Sequence, residues 1–180
     1  MKKILSTAVF TIAMSLTGFS QDISYGKFLG SLTTTKFAGS STYKGYEKQV
    51  EIIETTTSGQ NRSTTISFKF NACPATANFM AHSQVGKQIE KGLITVLAKP
   101  DAQVGINHIK YQLYFESSAV VSCNDTQACN GNMASTVVLK PQRVCWIYYN
   151  YDKNGKPLPV TTNGFDLKSG QAWTPAIPVF

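Results

Sequence analysis

Apolar and polar residues alternate with a period of two through most of this chain, the pattern of half-buried β-strands. The densest instance is Gln142 to Leu158, QRVCWIYYNYDKNGKPL, where Cys145, Ile147, Tyr149 and Tyr151 share one face and Val144, Trp146, Tyr148 and Asn150 the other. Both faces carry apolar area. The pattern therefore predicts a strand covered on both sides, or one with an aromatic face left open for a ligand. Asp152-Lys153-Asn154-Gly155 then supplies turn chemistry, because Asn and Gly accept positive φ and Asp bonds its own backbone. A hairpin follows, with Pro159 to Phe165 as its return strand and Pro157 and Pro159 holding the first part to an edge.

Upstream, Tyr25 to Tyr46 is rich in Gly, Ser and Thr, and predicts short edge strands and loops around Phe28, Leu29, Leu32 and Phe37. Lys48 to Thr57 and Arg62 to Phe70 read as paired strands around a turn at Ser58-Gly59-Gln60-Asn61. The one candidate helix is Pro74 to Lys91. Proline suits its first turn, Ala77, Ala81, Val85 and Ile89 repeat every four residues beside Met80, and Gly92 is placed to end it. Strand patterns resume at Leu93 to Ala98, His108 to Glu116, Ala119 to Cys123 and Ser135 to Leu139. Trp173 to Phe180 carries Pro175 and Pro178 and is expected along an edge. Short strands at even spacing predict one all-β, mainly antiparallel domain over residues 21–180: a β-sandwich or jelly-roll-like barrel of about eight to ten strands with at most one helix.

The first twenty residues change the picture by setting a compartment. Lys2 and Lys3 precede a mostly apolar Ile4 to Phe19, and Gly18-Phe19-Ser20 offers small residues where a signal peptidase reads. Residues 1–20 are therefore expected to be a signal peptide, delivering the mature chain to a bacterial periplasm or outside the cell. The apolar stretch falls short of the roughly 20 residues of a membrane span. The four cysteines, Cys73, Cys123, Cys129 and Cys145, then imply two disulfides. The expected pairing clips the Asn124 to Ala128 loop between Cys123 and Cys129, and joins Cys73 to Cys145 across the core. Each bond would add about 2–4 kcal/mol.

Charge removes some functions. Taking Lys2 and Lys3 from the net +7 leaves 7 − 2 = +5, spread singly and almost all lysine, with only Arg62 and Arg143 as arginines. A nucleic-acid footprint clusters cations and favours arginine, so nucleic acid is not an expected partner. The final Phe180 resembles the end of an outer-membrane barrel, but Pro175 and Pro178 interrupt the last strand. No metal or cofactor is expected: the thiols lack zinc-ribbon spacing, and Asp152 to Gly155 lacks the other ligands of a calcium loop.

Candidate chemistry narrows to two kinds of side chain. There is no Gly-x-Ser-x-Gly elbow and no marked carboxylate pair; His82 and His108 are single histidines. The aromatics Trp146, Tyr148, Tyr151 and Trp173 combine large apolar area with a polar tip, the chemistry of a sugar platform or a protein anchor. Cross-strand packing is the competing use of such residues. The reading from sequence is an exported non-catalytic binding protein of the cell envelope or secreted fraction, recognising a glycan or protein partner through an aromatic hairpin. A small secreted hydrolase built on His82 or His108 is one alternative. A periplasmic inhibitor or immunity protein presenting Asn124 to Gln127 is another.

Overall fold

The structure, a computed structural model, describes residues 22–32, 36–60, 62–98, 108–127 and 132–175. Among these residues nine strands and one helix follow in chain order: β1 Ile23–Gly30, β2 Val50–Gln60, β3 Ser63–Asn71, α1 Pro74–Val85, β4 Gln88–Leu97, β5 Ile109–Gln127, β6 Met133–Lys140, β7 Arg143–Tyr148, β8 Thr161–Asp166 and β9 Gln171–Ala172. Every pairing is antiparallel. The order is β4-β1-β2-β3-β6-β5-β7-β8-β9, and β4 also pairs with β5. Six strands thus close a ring, and β7, β8 and β9 extend from it.

β5 makes the closure possible. Its first half pairs with β4 on one edge and β7 on the other, while Ala119 to Gln127 pairs with β6. The change of partner falls at a bend, where Ser117 has φ +50° and the register shifts between Val120 and Ser122. One sheet therefore curls onto itself, which corrects the expected sandwich or jelly roll. The physical reason is that closure satisfies strand edges that two separate sheets would leave open.

Alternation places the core. β3 buries Thr64, Ile66, Phe68 and Phe70 on one face, and these meet Phe28, Ile94, Leu113, Phe115 and Val137 inside the ring. Gly92 belongs to this packing, not to a helix end: a Cβ there would overlap the Phe115 ring. α1 begins at Pro74 as expected but stops at Val85, where Gly86 turns left-handed at φ +67° and its N–H reaches the His82 carbonyl. The helix faces inward with Ala75, Phe79 and His82, and leaves Ala77, Ala81 and Val85 outside. Phe79 decides this orientation, because its ring meets Phe28, Phe37, Phe68 and Phe70 at centroid distances of 5.0, 4.9, 5.6 and 5.8 Å.

The disulfide expectation is corrected as well. Cys73, Cys123 and Cys145 carry free thiols, and Cys129 lies outside the described residues. Cys73 caps α1 and packs against the main core, whereas Cys145 lies with Tyr114 and Ile147 on the other face of the sheet. The sheet itself separates the two sulfurs, and a disulfide needs Cα atoms within about 7 Å. Asn124 to Gln127, expected as a projecting loop, continues β5 and pairs with β6. The expected signal peptide, residues 1–20, lies outside the described residues.

Candidate functional site

The outer face of β4, β5 and β7 carries a second, smaller cluster of Tyr114, Cys145 and Ile147, with Leu93, Tyr149 and Trp173 packed against it. The alternation that fills the ring with Leu113 and Phe115 sends Gln112, Tyr114 and Glu116 to this side. Polar groups there are joined in series. The Tyr149 hydroxyl donates to Gln112 Oε1 at 2.7 Å, and Gln112 Nε2 donates to Thr95 Oγ1 at 3.1 Å. The Tyr114 hydroxyl donates to Glu116 Oε1 at 2.6 Å. Burial, then the Glu116 carboxylate, raises the Tyr114 phenol above its ordinary range.

Arg143 closes one end of this face. Its Nε donates to Asp166 Oδ2 at 2.9 Å, Nη1 reaches Glu116 at 3.4 Å, and the guanidinium lies 5.6 Å from the Trp173 ring centroid. Trp173 in turn stacks on Tyr114 at 5.9 Å. The Ser169 N–H, followed by Arg143, holds the Asp166 carboxyl below its usual range. These exposed ion pairs orient the end of β8 more than they stabilise it.

The four aromatics singled out in the sequence do not form one platform. Trp146 is half-buried against the main core, and Tyr148 is exposed beside Tyr111 at 5.9 Å. Trp173 sits on the opposite face of the sheet. Tyr151 gives its hydroxyl to the Ile109 carbonyl at 3.2 Å and lies 4.2 Å from His108. The two histidines are also apart in role. His82 is buried, with Nδ1 2.8 Å from the Asn78 carbonyl and Nε2 accepting the Leu32 N–H at 3.3 Å. Neither histidine hydrogen-bonds a carboxylate among the described residues. No group of three or more His, Cys, Asp or Glu is placed to hold a metal ion among them either.

Sequence reading missed the segment 36–49, which folds over β1. There Tyr25 stacks on Tyr46 at 4.6 Å and on Tyr43 at 5.7 Å. Burial raises both the Tyr25 and Tyr46 phenols, with Glu51 adding to the first and Tyr151 to the second. The three tyrosines were visible in the sequence, but they follow no period that would have brought them together. Beside Tyr46 a cleft of about 340 Å³ opens onto Lys27, Thr95 and Gln112.

No protein-family model matches the sequence, and no curated protein matches it. Solved structures do. A type six secretion system protein superposes with a TM-score of 0.71 at 17% identity, over 84% of this chain and 99% of that one. Hcp1 from Salmonella typhimurium gives 0.67 at 15% identity, over 83% and 99%. The secreted protein Hcp3 from Pseudomonas aeruginosa gives 0.64 at 15%, over 81% and 97%. These likenesses overturn the reading of an envelope glycan- or protein-binding module built on an aromatic hairpin, and the dispersal of Trp146, Tyr148, Tyr151 and Trp173 is its physical counterpart. Across nearly the whole length of each of these proteins, the chain shares the fold of the Hcp proteins.

Proposed function

We propose that this chain is an exported structural subunit of a type VI-like secretion apparatus, acting by association with further copies of itself. The observation that carries the reading is the fold likeness to a type six secretion system protein, which spans 99% of that protein. The surface supports it. Ile53, Val121, Met133, Tyr148 and Phe165 stand on five different strands with relative exposures from 38% to 58%, so the outside of the sheet retains apolar area that association would cover. Ring closure leaves few open strand edges, which favours contact through side-chain faces. Residues 1–20 supply the export signal in this reading. No helix among the described residues is long and apolar enough to cross a membrane.

The test uses the mature chain from Gln21, by light scattering and negative-stain microscopy at up to about 100 μM, where any Kd tighter than that populates a complex. The expected result is a multi-copy particle that Val121→Lys or Phe165→Lys shifts toward monomer with an unchanged far-UV spectrum. A strictly monomeric protein over that range refutes self-association. N-terminal sequencing of the exported protein should begin near residue 21; an intact Met1 terminus refutes the export signal.

A further inference from the structure

Strand register brings a short polar row onto the outer face of the sheet. β1 and β4 pair Tyr25 with Thr95 and Lys27 with Leu93, and β4 and β5 pair Thr95 with Gln112. Because Phe28, Ile94 and Leu113 fill the ring, alternation turns Lys27, Leu93, Thr95 and Gln112 outward. Segment 36–49 folds over β1 and adds Tyr46 and Gln49 as a wall. The result is the cleft of about 340 Å³ beside Tyr46, within the size range of small-molecule sites. Tyr46 and Leu93 are half-buried, so each still presents apolar area to it.

Gln49 distinguishes this cleft from an ordinary surface hollow. It is 6% exposed, and its backbone is held on both sides: its N–H donates to the Tyr46 carbonyl at 3.2 Å and its carbonyl accepts the Ser41 N–H at 3.0 Å. Its side-chain amide has no hydrogen-bond partner among the described residues. A buried amide left unpaired is costly, and a ligand that pairs it recovers that cost.

The other polar groups of the lining are donors. Thr95, 4% exposed, accepts from Gln112 Nε2 at 3.1 Å, which leaves its O–H to donate. Gln112 Oε1 is taken by the Tyr149 hydroxyl at 2.7 Å, which leaves one amide hydrogen on Nε2. Lys27 has no carboxylate within ion-pair distance among the described residues. No described acid lines the cleft, and Glu47, in the same segment as Gln49, accepts the Gly45 N–H at 2.9 Å. One cation, several donors and the free acceptor Gln49 Oε1 call for a counterpart with an anionic head and a donor beside it.

We propose that this cleft binds a small α-hydroxy carboxylate with an apolar side chain. Lys27, Thr95 and Gln112 receive the carboxylate, Gln49 Oε1 accepts the α-hydroxyl hydrogen, and Tyr46 and Leu93 flank the side chain. An α-amino acid fits worse, because its ammonium meets Lys27 with no acid in the lining to offset it.

The experiment measures binding of phenyllactate, phenylpropionate, phenyllactamide and phenylalanine to the mature chain by calorimetry at low salt. Phenyllactate is expected to bind with a Kd below about 1 mM. Phenylpropionate, which lacks the hydroxyl, should bind about fivefold more weakly. Phenyllactamide, which lacks the charge, and phenylalanine should each bind roughly tenfold or more weakly. Lys27→Gln, with an unchanged far-UV spectrum, should lose roughly tenfold for phenyllactate and little for phenyllactamide. Gln49→Glu keeps the shape of the wall but sets a second anion against the carboxylate, and should lose roughly tenfold or more. Lys27 is partly exposed, so its variant decides the matter even if Gln49→Glu does not fold. No saturable binding of phenyllactate up to about 10 mM overturns the proposal, as does equal binding of phenyllactate and phenylpropionate, or equal binding of phenyllactate by the natural chain and Lys27→Gln.

Discussion

Truncating Phe79 to alanine tests how α1 is held to the barrel. The ring is fully buried and touches four other aromatic rings, one each from Phe28, Phe37, Phe68 and Phe70. Removing such a ring costs about 3–5 kcal/mol, because the surrounding rings relax only partly into the space. A domain of this size is stable by about 5–15 kcal/mol, so one substitution removes a third or more of the total in the middle of that range. Val85→Ala is the control. Val85 is 60% exposed, so its truncation should fall within about 0.5 kcal/mol of neutral. Urea unfolding followed by tryptophan fluorescence and circular dichroism reads both. With a slope of about 2 kcal/mol per molar urea, Phe79→Ala should lower the midpoint by about 2 M while Val85→Ala leaves it in place. A cost below about 1 kcal/mol for Phe79→Ala, or an equal cost for Val85→Ala, would show that the helix presents its Ala77, Ala81 and Val85 face to the core.

Gly92→Ala should destabilise by about 1–3 kcal/mol, read as a lowered thermal midpoint, since the added methyl overlaps the Phe115 ring; a neutral result would mean that β4 and β5 are less tightly apposed. Burial, then Asp125, pushes the Cys123 thiol up to about 11, so at pH 8 it should react with a disulfide reagent on the order of a hundredfold more slowly than an ordinary cysteine. Peptide mapping after labelling decides this, and rapid modification would refute it. The same maps should show no Cys73–Cys145 bond. Asp166 has its carboxyl lowered on folding, so its contribution is present above the unfolded value of about 3.9 and is lost as pH falls through the folded value. Asp166→Asn should therefore lower the thermal midpoint relative to the natural chain by a constant amount between about pH 5 and 8, and by less below about pH 4; a pH-independent difference would contradict the linkage.

Alternation along the chain was enough to mark several of the strands. Period-two alternation in Arg62 to Phe70, His108 to Glu116 and Gln142 to Tyr148 marks β3, the first half of β5 and β7, because a strand's two faces differ in water exposure whatever it pairs with. The Asp152 to Gly155 turn was also legible: Asp152 Oδ1 accepts the Asn154 and Lys156 N–H groups at 2.8 and 2.9 Å, and Gly155 has φ +76°. The helix start followed from Pro74. Its face did not, because a four-residue repeat of small residues resembles a buried stripe, and only the opposing rings select Phe79 instead.

Tertiary structure alone decided the closure and the surfaces. β5 bends at Ser117, where β6 takes over from β7 along one edge while β4 holds the other, a long-range pairing with no local signature. The same bend carries Asn124 to Gln127 into a ladder where the polar composition suggested a loop. Cysteine positions show residues that can oxidise, but the separation of Cys73 from Cys145 depends on which face of a sheet each occupies. A cleft lined by Lys27, Lys36, Glu47 and Lys48 exists because β1 leaves β2 after Gly26 and segment 36–49 folds back into the gap. Lys27, Lys36 and Lys48 are singly spaced along the chain, and only that fold makes them neighbours.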